Sequence, residues 1–335
     1  MQSAKTNRAG QAIFTEQGHI KKHIGNLLGG LALVAGLATS NAAQAGFSTT
    51  EVQMHCGDGY KMGRNATFAN GFSEETVRQT ITLDHFSTNE IGDLFFFVDF
   101  FRDTSSGTGR ESDQYGEIYY HLHGSNIGLT FDEGNLLKGL DLGVGLNQGT
   151  DVSVALAGPR LSFNVPGFKV LSLGVYAYEN FVDVFDRKLD TTYQATIVWD
   201  APFAIGSQKF QAKGFVDFIG SQGNRIARQI VFSPQVRWDI GNAMGMKENK
   251  GHLGIEYTHF DNKFGNQGVD EDSASIFLGL KFETGPFQPG ERGGDIFTSF
   301  ALYPGCASAA TSRAQSCAQL SSERSERRII QSSIC

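Results

Sequence analysis

The sequence predicts an all-β protein, a transmembrane antiparallel β-barrel of about 12 strands, and three observations carry that expectation. The first is composition: 41 of 335 residues are glycine and 27 are phenylalanine, against 7 prolines and 19% charged residues. Glycine at about 12% compares with a usual ~7%, and mean hydropathy is −0.22, as expected where every second residue faces water. The second is period-2 alternation sustained over segments of 10–14 residues, whereas strands of soluble sandwiches usually run about five or six. The third concerns helices. The one near-continuous apolar run lies between Ile24 and Thr39, and a spanning helix needs about 20 such residues. No glycine period or heptad is present, so collagen-like and coiled-coil classes are excluded.

From the N-terminus, residues 1–45 read as a secretory signal. Lys21, Lys22 and His23 close a basic region, Ile24 to Ala38 is apolar, and Ala43-Gln44-Ala45 forms a small-x-small cleavage site before Gly46. Residues 46–282 read as the barrel. Alternating segments fall near 59–70, 75–87, 91–103, 115–131, 138–149, 152–163, 168–181, 190–202, 207–220, 226–240, 250–262 and 272–282. Gly158-Pro159 disturbs the sixth, which suggests a bulge. The pattern is cleanest late in the chain. Ile230, Phe232, Pro234, Val236, Trp238 and Ile240 alternate with Gln229, Ser233, Gln235, Arg237 and Asp239, with Val231 the one apolar exception. In the last segment Ala274, Ile276, Leu278, Leu280 and Phe282 oppose Ser273, Ser275, Phe277, Gly279 and Lys281. With both ends periplasmic, long outer loops are expected after odd-numbered strands, as at 104–114, 182–189 and 263–271.

After Phe282 the alternation stops. Residues 283–335 are rich in Ser, Ala and Arg and hold Cys306, Cys317 and Cys335, so they read as an atypical, disordered tail. Cys56 stands apart from them in the barrel, which excludes a disulfide framework within it. Residues 1–45 carry a net charge of +3 and the tail is balanced, which leaves −10 on the barrel. An acidic body disfavours nucleic acid polymers and suits a pore for neutral or cationic solutes.

If apolar faces point to lipid, the opposite parity lines the lumen. On the third segment Leu94, Phe96, Val98 and Phe100 face lipid, while Asp93, Phe95, Phe97, Asp99 and Phe101 face inward. Elsewhere the inward set includes Glu117, Tyr119, His121 and His123, then Tyr176, Tyr178 and Asn180, then Lys213, Phe215 and Asp217, with Glu256 near the end. Aromatic rings inside a polar channel offer π-faces to a flat solute, worth about 1–3 kcal/mol per stacked base in protein–nucleic-acid systems. Carboxylates beside them can accept hydrogen bonds from ribose hydroxyls. The competing reading is that these rings simply fill a narrow lumen.

Several stretches resemble the Tsx-type nucleoside channel and OmpK family of outer-membrane proteins. The run Gly92-Asp93-Leu94-Phe95-Phe96-Phe97-Val98-Asp99-Phe100-Phe101 looks like that family's third strand. Val165-Pro166-Gly167-Phe168, Gly214-Phe215-Val216-Asp217-Phe218 and Pro234-Gln235-Val236-Arg237-Trp238-Asp239 follow in matching order, as do Gly254-Ile255-Glu256-Tyr257, Asn262-Lys263-Phe264-Gly265 and the terminal Phe282. The resemblance implies a monomeric 12-stranded barrel in the bacterial outer membrane, embedded in its lipid. It would pass nucleosides or similar small solutes by passive diffusion, with outer loops open to phage. No cofactor is implied.

One rival is enzymatic. Outer-membrane lipid hydrolases share a His-x-Ser-Asn motif, and His123-Gly124-Ser125-Asn126 has it. On a strand, His123 and Ser125 share a face, so an imidazole could activate the hydroxyl; that face is expected to point inward, away from lipid. A generic porin or structural barrel is the other alternative. Zinc-ligand spacings and phosphate-cradling loops are absent, and Gly143 and Gly145 share a strand face without leading into a helix.

Overall fold

The structure, a computed structural model, describes residues 46–61, 75–103, 112–132, 134–150, 152–182, 187–223 and 225–284. The expected signal at 1–45 and nearly all of the expected tail lie outside these residues.

Twelve strands form one antiparallel sheet closed on itself: β1 (Phe47–Lys61), β2 (Glu75–Thr88), β3 (Gly92–Asp103), β4 (Ser112–Leu122), β5 (Leu137–Gly149), β6 (Ser153–Phe163), β7 (Val170–Asn180), β8 (Thr192–Ile205), β9 (Gln208–Ile219), β10 (Gln229–Trp238), β11 (Gly251–Asp261) and β12 (Glu271–Thr284). Each strand pairs with its neighbours in sequence, and β1 closes on β12 from Ser48↔Thr284 to Asp58↔Ala274. Closure leaves no strand edge, so every strand finds backbone partners on both sides without water, which is what a hydrocarbon environment demands. The chain enters at Phe47 and leaves at Thr284 on one end of the barrel, here the terminal end; the opposite end is the far end.

Alternation sets the two faces. On β12, Ile276, Leu278 and Leu280 are exposed on the outside while Ser273, Ser275 and Phe277 are buried inside. Val52 and Met54 on β1, Leu142, Val144 and Leu146 on β5, and Phe232 and Val236 on β10 continue the apolar outer wall. The inverse pattern of a soluble domain, apolar outside and polar within, defines a membrane-spanning barrel.

Three expectations need correction. The first strand lies at Phe47–Lys61, not 59–70. Its inward set of Glu51, Gln53 and His55 is polar and its outward apolar set is short, so the segment reads weakly on hydropathy. The fourth strand stops at Leu122, and Gly124–Ile127 forms a 3-10 turn closed by Gly128 at φ 84°. No bulge falls at Gly158-Pro159. Ala157↔Ala177 and Arg160↔Gly174 keep one register across β6 and β7, and the β5–β6 ladder runs straight through both residues. The register shifts that do occur lie at Gly57/Tyr60 and Leu137/Gly139. Long connections also occur at the terminal end, between β4 and β5 and between β10 and β11. The latter carries the short helix α1 (Ile240–Ala243), capped by the Asp239 carboxylate accepting from the Asn242 N–H at 3.0 Å.

Candidate functional site in the barrel lumen

The inward residues of β3 to β9 do not stand free; they reach across to strands several positions away. Tyr119 (β4), Tyr176 and Tyr178 (β7) form one buried cluster with Val154 and Leu156 (β6), against which Phe95 and Ile219 pack. Two glycines of β5 make this possible. A Cβ on Gly145 would stand 2.7 Å from the Tyr119 ring, and one on Gly143 would stand 2.7 Å from the His121 ring and 3.1 Å from Tyr176. Bulky residues on β4 and β7 therefore fold flat over a bare stretch of wall.

Below this cluster, at the terminal end, Arg160 on β6 spans to β3 and β5. Its guanidinium lies 2.5 Å from Asp93 and 2.6 Å from Asp141. His121 Nδ1 is 3.1 Å from Asp93 and its Nε2 is 3.0 Å from the Tyr176 hydroxyl. The Arg160 guanidinium also lies 3.0 Å from Nδ1, so His121 stands between the Arg160–Asp93 ion pair and the Tyr176 hydroxyl. Asp217 is buried and accepts from Thr196 at 2.5 Å and Gln194 at 3.3 Å.

The opposite side of the lumen has its own knot. Buried Arg237 on β10 pairs with Glu51 on β1, whose carboxylate also lies 3.3 Å from His252. The Arg237 guanidinium sits 5.2 Å over the Phe277 ring, and Phe277 stacks on His55 at 4.7 Å. Gly254 leaves the space that Phe277 occupies, since a Cβ there would fall 2.4 Å from its ring.

Between these knots the lumen wall stays half-exposed. Phe97, Asp99 and Phe101 on β3, Phe215 on β9 and Glu256 on β11 all keep partial solvent contact. Asp99 accepts from Thr82 at 2.6 Å and Glu256 from Gln235 at 2.6 Å. Phe97 lies 6.0 Å from Tyr115, whose hydroxyl donates to Glu117 at 2.5 Å. Toward the far end, Phe101 carries the Arg78 guanidinium 4.1 Å over its ring, and Arg78 is paired with Asp103 at 2.8 Å.

The residues singled out from sequence thus divide. Phe95, Tyr119, Tyr176 and Tyr178 meet in one cluster, and the three tyrosines are buried in it; Asp93 and Asp217 are held by protein partners. Phe97, Asp99, Phe101, Phe215 and Glu256 line the remaining space, with Glu256 on a separate wall. Sequence reasoning missed Arg160, Asp141, Gln194 and the Glu51–Arg237–His252 knot. Arg160 was recoverable: unbroken alternation through Gly158-Pro159 puts it inside.

His123 and Ser125 do not share a strand face. His123 leaves β4 and lies 3.5 Å from Asp93, while Ser125 is exposed on the 3-10 turn. Among the described residues, no cluster of three or more His, Cys, Asp or Glu side chains suited to a metal ion is present.

No protein-family model matches the chain, and a search among curated proteins finds no match. Solved structures do show similarity. A KdgM porin aligns over 69% of this chain and 99% of its own at 7% identity and a TM-score of 0.40. A NanC porin aligns over 70% and 100% at 9% identity and 0.42. An outer membrane channel from Pseudomonas putida F1 aligns over 71% and 95% at 10% identity and 0.38.

Proposed function

We propose that this barrel is an outer-membrane channel for passive diffusion of small solutes, and that nucleosides are the solute class its lumen suits. The observation that carries the reading is the half-exposed pair Phe97 and Phe215, on strands six positions apart either way round the closed sheet. They are inward aromatic rings on facing walls, with the Asp99 carboxylate two residues from Phe97. A flat base can stack on such a ring, and a ribose hydroxyl can donate to a carboxylate whose other partner is a threonine. Stacking of about 1–3 kcal/mol per base is weak enough for release, which conduction requires.

The purified barrel in planar bilayers is expected to conduct, and nucleosides to reduce the current more than simple sugars do. Phe97→Ala and Asp99→Ala should each weaken the nucleoside block and leave unblocked conductance in concentrated salt intact. Conductance indifferent to nucleosides would leave a generic porin; block untouched by both substitutions would move the site elsewhere.

A further inference from the structure

Three ionic ties cross the lumen among the described residues, and they differ in kind. Arg237 with Glu51 and His252 is buried, and Arg160, with 16% of its side chain exposed, holds Asp93 and Asp141 at 2.5 and 2.6 Å. Lys213 on β9 and Asp84 on β2 meet at 3.9 Å, with 28% and 18% of their side chains exposed. Their strands lie five positions apart one way round the sheet and seven the other, so this contact nearly spans the barrel. A separation of 3.9 Å exceeds the 2.7–2.9 Å of a charge-assisted hydrogen bond, and a wet, loose pair of this kind holds little energy.

We propose that Asp84 and Lys213 form the constriction of the lumen, a loose ionic bridge that permeating solutes displace and that sets the channel's charge preference. The tighter knots on either side leave little room for solute, since their charges are paired at close range. What is left is the band where the bridge lies. In the β2–β3 ladder Asp84 is the direct partner of Phe97, and Phe215 stands two residues beyond Lys213. The bridge therefore lies at the level of the two open rings. A neutral solute with hydrogen-bonding edges can exchange with both charges at once: a ribose hydroxyl donates to Asp84 and a base carbonyl accepts from Lys213. A simple ion meets one attractive and one repulsive group. Other charges act on the same space, and Glu51 feels Lys213 directly; it is Asp84, however, that Lys213 contacts across the opening.

The inference rests on the channel reading, and one experiment separates the two. Single-channel conductance and reversal potential in a potassium chloride gradient are measured for the full barrel and for Lys213→Gln, Asp84→Asn and the swap D84K/K213D. Lys213→Gln should raise conductance and move the reversal potential toward that of potassium. Asp84→Asn should raise conductance and move it toward chloride. The swap restores a bridge and should return both quantities toward their starting values, which a mere loss of folding would not do. If the unaltered barrel conducts and all three variants match it, the constriction lies elsewhere and the proposal falls while the channel reading stands. If the unaltered barrel does not conduct, both fall.

Discussion

Arg160 is the residue on which most of the terminal-end network converges, because Asp93 and Asp141 both face it inside the barrel. Removing one partner of a buried ion pair costs about 3–5 kcal/mol, since the charges left behind are no longer compensated. Arg160→Met, which keeps the aliphatic bulk, should therefore lower the urea midpoint of the barrel refolded in lipid vesicles by a corresponding amount. An unchanged midpoint would mean that water already solvates Asp93 and Asp141. Lys213→Gln at the loose bridge should move that midpoint little, because a partly exposed pair contributes about 0–1 kcal/mol. His123, just outside β4, carries a pH signature. Its contact with Asp93 raises the imidazole above its ordinary 6.5. A raised histidine contributes stability that is full below about 6.5 and is lost as pH rises through its folded value. Imidazole titration by NMR should give a midpoint above 6.5, and Asp93→Asn should lower it.

At the scale of elements, the inward glycines of β5 explain part of the glycine excess in physical terms. Gly145 holds its place because the Tyr119 ring occupies the space a side chain would fill. Gly145→Val should push Tyr119 off the wall and into the lumen, so conductance falls and the tyrosine becomes reactive to water-soluble modifiers. Conductance and reactivity both unchanged would mean that the β4–β5 wall relaxes around the added methyls. Which elements were legible follows from the same alternation. β12 and β10 read cleanly because their outward residues are large and apolar and their inward ones polar, Phe277 and Val231 excepted. β1 is hard to read because Glu51, Gln53 and His55 dominate a segment with few large outward residues. β4 ran too long because Gly124-Ser125-Asn126 carries no signal that separates a strand end from a turn. The lumen partition was not legible at all. Parity shows that Tyr176 and Phe215 both face inward; only three-dimensional packing shows that one is buried against Tyr119 while the other keeps an open face.

For the molecule as a whole, closure converts a local charge pattern into a field. The inward arginines Arg160 and Arg237 are matched by Asp93, Asp141 and Glu51, and Lys213 by Asp84. Asp99 and Glu256 line the open part of the lumen with neutral hydrogen-bond partners, Thr82 and Gln235. Asp99 and Glu256 thus add acidic groups without an ion-paired base to the proposed solute path, in keeping with the excess of −10 on residues 46–282. Carboxylates facing a narrow aqueous path within low-dielectric walls concentrate cations there. The proposed channel should accordingly favour potassium over chloride in dilute salt. The preference should shrink steeply toward 1 M, where the Debye length falls to about 3 Å from about 10 Å at 0.1 M. Glu256→Gln together with Asp99→Asn should flatten that salt dependence while leaving the conductance in concentrated salt nearly unchanged. A preference for chloride in dilute salt, or a cation preference that persists undiminished at 1 M, would show that the path is not lined by these carboxylates.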